Sequence, residues 1–310
     1  MKPRTGAGVL VAALALGGML AARAPAQDRF ANVRMRAFAV APGAAMLMGA
    51  GGNIGVCWGP DGVVLIDDQF APLSEKLRAA VDSLSGGRPI RFVLNTHYHG
   101  DHVGGNEPLA GAGAVNVAQD NVRRRMSVAQ FRTVVFNDTL APAPAGALPI
   151  VTFNDSLTFH LNGQEMRVFH VAPAHTDGDV IVHLPGSNVV HMGDTFFNGT
   201  YPVIDVPAGG SIDGMITADD RVLAICDART TIIPGHGPLG DRVALQAFRD
   251  MLAKVRDRIR PLVKARKTLA QVVAARPTAD LDEKWGKGSM NAERFVGVVV
   301  ADLSRRSRGK

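Results

Sequence analysis

The stretch "NTHYHGDHVGG", residues 95–105, places three of the chain's nine histidines and one aspartate within six positions, at His97, His99, Asp101 and His102. Lone pairs and negative charge crowded in this way repel one another unless a cation lies between them, and a divalent metal is the usual occupant. Alternate side chains of an extended segment share a side, so His97 and His99 are expected to face one ion together. Asp101 and His102 follow Gly100 into a turn and point elsewhere, toward a second ion, while Gly104 and Gly105 let the backbone turn tightly beside them.

The surroundings of this stretch read as layered α/β structure. "PIRFVLNTH" is an apolar strand running straight into the histidines, and "APLSEKLRAAVDSL" before it has a helical period. Earlier still, "AAMLMGAGGNIGVCWGPDGVVLIDDQF" holds three apolar runs separated by turn signals, a meander of strands. Downstream, "IVTFND", "SLTFHLNG", "EMRVFHVAPAH", "DVIVHLPG" and "NVVHMGDTFF" give a second set of strands. A helix capped by Ser211 and the strand "TTIIPGHGP" follow. A long helix then repeats Leu245, Phe248, Leu252, Val255 and Ile259, a stripe that must pack on a sheet. Several strands end in Asp or His, at Asp67, His97, His175, Asp194 and His236, and layered α/β folds build their sites at the carboxyl ends of strands.

Four residues do not complete two coordination shells. His175 in "PAHTDGD", Asp194 in "HMGDTFF" and His236 in "PGHGP" each follow an apolar stretch beside Gly or Pro and supply what is missing. The expected sets are His97, His99 and His175 for one ion and Asp101, His102 and His236 for the other, with Asp194 bridging. Nitrogen-rich sites with carboxylate support favour zinc, with iron or manganese as alternatives. Two such ions activate a water and polarise a substrate oxygen, and Asp101 is expected to orient that water and carry its proton. His160, His170, His183 and His191 read as core or surface histidines, and Asp179 as a turn residue.

Composition bounds the rest. The 310 residues are 46% hydrophobic and 20% charged, enough apolar material for a large core. Residues 1–26, with Lys2 and Arg4 before "GVLVAALALGGMLAA" and a small-x-small site at Ala24, Pro25 and Ala26, read as a signal peptide, so the expected location is periplasmic or secreted. Its apolar run is shorter than a span requires, and no stable membrane anchor is expected after cleavage. Removing it takes Lys2, Arg4 and Arg23 and no acid, lowering the formal charge from +6 to +3. No nucleic-acid partner is required, and the basic runs at 122–126, 254–267 and the end read as solvated helix faces. Residues 27–40 read as an exposed lead-in. Residues 129–149, with three prolines, and 264–310 read as the least regular parts, the first raising the question of a lid and the second ending in a closing helix. Cys57 and Cys226 either pair or remain buried thiols, and the oligomeric state is open.

The H-x-H-x-D-H string and the later isolated His, Asp and His resemble the metallo-β-lactamase superfamily, over about residues 40–265. The resemblance implies a four-layer αββα sandwich, with residues 41–310 as a single domain ending in helices, and a dinuclear site at one edge. It also implies that Asp67 orients ligands. Asp at 194 is similar to the glyoxalase-II-like thioesterases and lactonases, where one group of β-lactamases has Cys and another Ser. His99 stands where the iron flavoprotein branch has Glu. No Lys or Arg lies between Val168 and Asp220, so the loop after Asp194 has no cation for a β-lactam carboxylate; Thr195, Asn198, Thr200 and Tyr201 are the hydrogen-bonding candidates for a small-molecule substrate. The expected activity is hydrolysis of a small ester, thioester, lactone or lactam, with a true β-lactamase or a non-catalytic zinc-binding envelope protein as alternatives.

Overall fold

Side-chain alternation along the strands sorts the apolar residues into three cores, and the cores define four layers. In the strand Gly62–Ile66, Val64 and Ile66 point one way and Val63 and Leu65 the other. The first pair meets Val180, Val182 and Leu184 of the strand Val180–Leu184, and the second meets Leu77 and Val81 of the helix Ser74–Ser85. On the far side Ile181, Val190 and Ile232 meet the helices Ile212–Leu223, Arg242–Lys264 and Ala292–Arg308. Helix, sheet, sheet, helix is therefore the order of the layers. The computed structural model describes residues 29–132, 138–171 and 173–308, so the signal-peptide reading of 1–26 lies outside the described residues.

The first sheet has seven strands, in the order Arg36–Ala41, Ala44–Met48, Ile54–Gly59, Gly62–Ile66, Ile90–Leu94, Val115–Gln119 and Val151–Phe153. Its first four form the antiparallel meander and its last three add in parallel, each parallel addition crossing over through a helix or a long connection. The second sheet runs Ser156–Leu161, Gln164–His170, Val180–Leu184, Val189–His191 and Thr231–Ile233, antiparallel until the final parallel pair. The lead-in is mostly exposed, as read, but it is also structured: from Arg36 it is the edge strand of the first sheet, and Lys76 donates to the carbonyls of Phe30, Ala31 and Val33 before it.

The predicted stripe of the long helix is buried in full, from Leu245 to Ile259, each such side chain contributing about 1.5–3 kcal/mol. Its basic face is knitted to neighbours by exposed ion pairs, Arg249 with Asp220, Arg260 with Asp213, and Lys254 and Arg258 with Asp280. The region after 264 is more regular than its composition suggested. Thr268 and Gln271 form a capping box that starts Leu269–Ala274, and Phe295, Val296, Val299 and Leu303 bury one face of the closing helix. Cys57 lies in the inter-sheet core and Cys226 beside the outer one, both as free thiols; burial pushes the Cys57 thiol up to about 12. Residues Gln130–Arg132 and Asp138–Leu140 pair as a small hairpin. Among the described residues no helix is long and apolar enough to cross a membrane.

Asp219 interrupts the apolar face of Ile212–Leu223: it is fully buried, and neither carboxylate oxygen has a hydrogen-bond partner among the described residues. Burial, and then Asp220, push its pKa well above the ordinary value against a weaker opposing pull from Arg249. The folded chain therefore keeps a proton that the unfolded chain loses above about pH 4, and this term erodes stability as pH rises toward the folded-state value. Asp219→Asn is expected to leave Tm unchanged near pH 4 and raise it at about pH 8, by about 1–3 kcal/mol of stability. Thermal unfolding at the two pH values checks this; an equal effect at both refutes the assignment.

Candidate metal centre

Five strands of the two sheets deliver the site from their carboxyl ends. Gly62–Ile66 ends at Asp67, Ile90–Leu94 leads to residues 97–102, Gln164–His170 to His175, Val189–His191 to Asp194, and Thr231–Ile233 to His236. Beyond Leu94 the chain bends at residues 96–98, is extended at His99, and enters the short helix Gly100–Val103 that carries Asp101 and His102. The structure brings the seven candidates into two clusters: His97, His99, His175 and Asp194 form one group and Asp101, His102 and His236 another. Ligand atoms within each group lie within 4.8 Å of one another. Asp194 sits between the groups, with Oδ2 3.4 Å from both His175 Nε2 and His236 Nε2 and Oδ1 3.1 Å from His102 Nε2.

Hydrogen bonds on the outer ring nitrogens fix the tautomers and test whether a cation fits. His175 Nδ1 donates to the Val203 carbonyl (2.8 Å), His99 Nε2 to Asp205 Oδ2 (2.9 Å) and His102 Nδ1 to Asp67 Oδ2 (2.7 Å). Thr96 Oγ1 gives its proton to Asp67 and so accepts from His97 Nδ1 (3.1 Å). His97, His99 and His175 then each present a lone pair inward, whereas at His102 burial is outweighed by Asp194, Asp101 and Asp67, which favour positive charge there. His175 Nε2 faces His99 Nδ1 at 2.8 Å and His97 Nε2 faces the same atom at 3.2 Å, contacts that repel without a positive charge among them. His102 Nε2 and Asp194 Oδ1 are buried and make no properly directed hydrogen bond. Burial would raise the Asp194 carboxyl, but His102, His236, His97 and His175 override it and hold it well below the ordinary range. The donor set fits two divalent cations.

The loops are held too closely for larger residues. A Cβ on Gly235 would lie 2.0 Å from Asp194 Oδ1, and one on Gly52 would lie 2.1 Å from His102 Cε1. Asn53 ties the two sheets together at this edge: its side chain donates to the carbonyls of Pro234 and Gly237, both at 2.9 Å, and its backbone N–H to that of Gly235. His191 is buried and receives the Gly193 N–H on Nδ1, which braces the Asp194 turn. Asp179 is the turn residue expected, accepting from the Thr176 N–H and hydroxyl behind His175. Asp67 takes up a left-handed backbone (φ 66°) and accepts from the Thr96 N–H, the Thr96 hydroxyl and His102, each at 2.7 Å.

Asp205 is the functional residue that sequence reasoning missed. Its Oδ2 accepts from both His99 Nε2 and the Tyr98 hydroxyl (2.5 Å), and its backbone N–H donates to the His175 carbonyl. The signal was available, since "VID" at 203–205 is an apolar run ending in Asp, as "LID" does at Asp67. Arg305 of the closing helix clamps the same loop through the carbonyls of Val206, Gly209 and Gly210.

Three proposed substrate contacts are corrected. Tyr201 is 1% exposed, with its hydroxyl on Asp282 (2.9 Å) and its ring stacked on Phe295, so it anchors the loop to the C-terminal segment. Thr195 is equally buried and donates to the Met192 carbonyl. Asn198 donates to the carbonyls of Pro238 and Leu239 and so braces the loop of His236. Thr200 does line the cleft of about 320 Å³ over the ligands, with Phe197, Val203, Gly237, Gly288 and Ser289. No described residue of 129–149 is among its lining residues.

The hydrogen bond from His99 to Asp205 predicts a selective effect. Asp205→Ala should weaken binding at the three-histidine group about 10–100-fold and leave the group of Asp101, His102 and His236 unchanged. Zinc titration against a competing chelator checks it, and equal loss at both groups refutes it.

The family described as "Metallo-beta-lactamase superfamily" matches residues 48–236. The chain is 30% identical over 165 residues to the hydroxyacylglutathione hydrolase of Rhodospirillum rubrum, covering 53% of this chain and 54% of that one. It is 25% identical over 148 residues to the 2,4-dinitroanisole O-demethylase subunit alpha of a Nocardioides species, covering 47% and 42%. The chain thus spans about half the length of these relatives. Among solved structures, a metallo-β-lactamase from Pontibacter korlensis has a TM-score of 0.58 at 19% identity, over 71% of this chain and 99% of that one. The metallo-β-lactamase FIM-1 of Pseudomonas aeruginosa, in its mono-zinc form, has 0.55 at 22%, over 72% and 96%, and both likenesses concern the fold. The matched segment contains all seven clustered residues and more than half of the chain, which belongs to the metallo-β-lactamase superfamily.

Proposed function

We propose that this chain is an exported, dinuclear metal-dependent hydrolase of glyoxalase-II-like type, with zinc as its metal, acting on a small ester, thioester, lactone or lactam. The observation that carries the reading is the convergence of inward-facing lone pairs from His97, His99 and His175, together with the ring of His102, on a carboxylate placed between two ligand groups. Divalent ions held there supply Lewis acidity and a water acidic enough to act as a nucleophile near neutral pH. The names of the relatives at 30% identity support thioester-type chemistry, and Lys2, Arg4, the apolar run and Ala24 to Ala26 support export.

The chain's own residues have separable tasks. Asp101 Oδ2 lies 3.3 Å from His236 Nε2 on the cleft side, and its side chain is 27% exposed, where it can orient a water and accept its proton. Phe197 lies parallel to the His236 ring, 5.1 Å away, and fixes its orientation at the cleft floor. Thr200 and Ser289 carry hydroxyls at the wall for hydrogen bonds to substrate, and the buried carboxylates of Asp67 and Asp205 keep the ligand rings aimed.

Zinc-loaded protein is expected to hydrolyse chromogenic esters, thioesters or lactones, to lose that activity on chelation and to regain it with zinc. Asp101→Asn should lower kcat/KM about 10²–10⁴-fold with its fold intact. Metal uptake without turnover on such a panel would favour a zinc-binding envelope protein instead. Selective opening of a cephalosporin would make it a β-lactamase despite Asp194.

A further inference from the structure

The cleft has a second wall that comes from outside the matched domain. Gly288 and Ser289 lie in the C-terminal segment yet line the same cleft as His99, Asp101, Asp194 and His236. The segment is fixed there: the Tyr201 N–H donates to the Trp285 carbonyl (2.8 Å), the Arg294 guanidinium donates to the Ser289 carbonyl (2.9 Å), and a Cβ on Gly288 would lie 2.7 Å from Thr200 Cγ2. Phe197 and Val203 line the same cleft. Apart from the ligand candidates, the lining residues are therefore apolar, glycine or hydroxyl-bearing, and carry no charge.

Charge at the floor points the same way. Asp67, Asp101, Asp194 and Asp205 bring four carboxylates to the ligand shell, enough to offset two divalent cations. An anionic tail on a substrate would lose hydration on entering such a cleft and find no cation in exchange, whereas an apolar tail would gain contact with Phe197 and Val203. Lys287 is exposed and is not among the lining residues.

We infer that the site selects an uncharged substrate, a neutral ester or lactone with a short apolar acyl group, over one bearing a carboxylate near the scissile bond, and that Ser289 is a specificity-determining residue. The inference rests on the hydrolase reading for the reacting group and on the cleft wall for the tail. Calorimetry on the full chain loaded with zinc tests it with butyrohydroxamic acid and succinic monohydroxamic acid, which share a zinc-binding group and differ by one tail carboxylate. The neutral probe should bind about tenfold tighter or more, and Ser289→Lys should narrow that ratio about tenfold while zinc content is unchanged. Equal or tighter binding of the succinate probe overturns the inference, and its loss in Lys287→Ala would identify the rim lysine as an anion anchor instead. Failure of both probes to bind also overturns it. In parallel, p-nitrophenyl butyrate and mono-p-nitrophenyl succinate report turnover. Selective neutral binding without metal-dependent turnover sinks the hydrolase reading alone, and turnover with anion preference sinks this inference alone.

Discussion

Repulsion among inward-facing lone pairs is the constraint on which this molecule is organised. Imidazole nitrogens 2.8–3.2 Å apart without a proton between them, next to a buried carboxylate, are unfavourable for the apo chain. They persist because each ring is gripped from outside, by Asp67, Asp205, Thr96 or the Val203 carbonyl. Those grips depend in turn on five strand ends lying at one edge of the sandwich. Packing of the two sheets thus sets aside stability to hold a charge pattern that only a cation completes.

The four layers do different work. The inter-sheet core sets the spacing of the strand ends, and the short loops at that edge cannot relax, because Gly52 and Gly235 are already in contact with His102 and Asp194. Asn53 and His191 then lock the edge of one sheet to the other. The outer helices reach the site indirectly, through Tyr201, Asp282 and Arg305.

Much of this was legible in the sequence where periodicity or chemistry leaves a local mark. The meander, the helix Ser74–Ser85, the Ser211 cap and the long helix follow from alternation, period and capping, and the seven clustered residues were marked by the crowding at 97–102 and by His or Asp placed after apolar runs beside Gly or Pro. The edge strand from Arg36 was not legible, because its residues are mostly exposed and its pairing is tertiary. The same holds for Tyr201, Thr195 and Asn198. A hydroxyl or amide near a site suggests substrate, but whether it is already engaged by Asp282, Met192 or Pro238 depends on contacts between segments as much as 81 residues apart. Asp205 was missed for the complementary reason: it touches His99 across 106 residues, and only its place after an apolar run hinted at it.

The brace supplied by Tyr201, Arg305 and the 286–289 loop draws on the far end of the chain. All seven candidate ligands lie at or before His236, but Arg305, which steadies the Asp205 loop, and the 286–289 loop, which closes the cleft, follow later in the chain. A chain ending before these segments would therefore carry the full ligand set without the contacts that hold the Asp205 loop in register. Docking of the closing helix and of the 286–289 loop is thus what completes the Asp205 loop and the cleft wall around ligand residues that lie earlier in the chain.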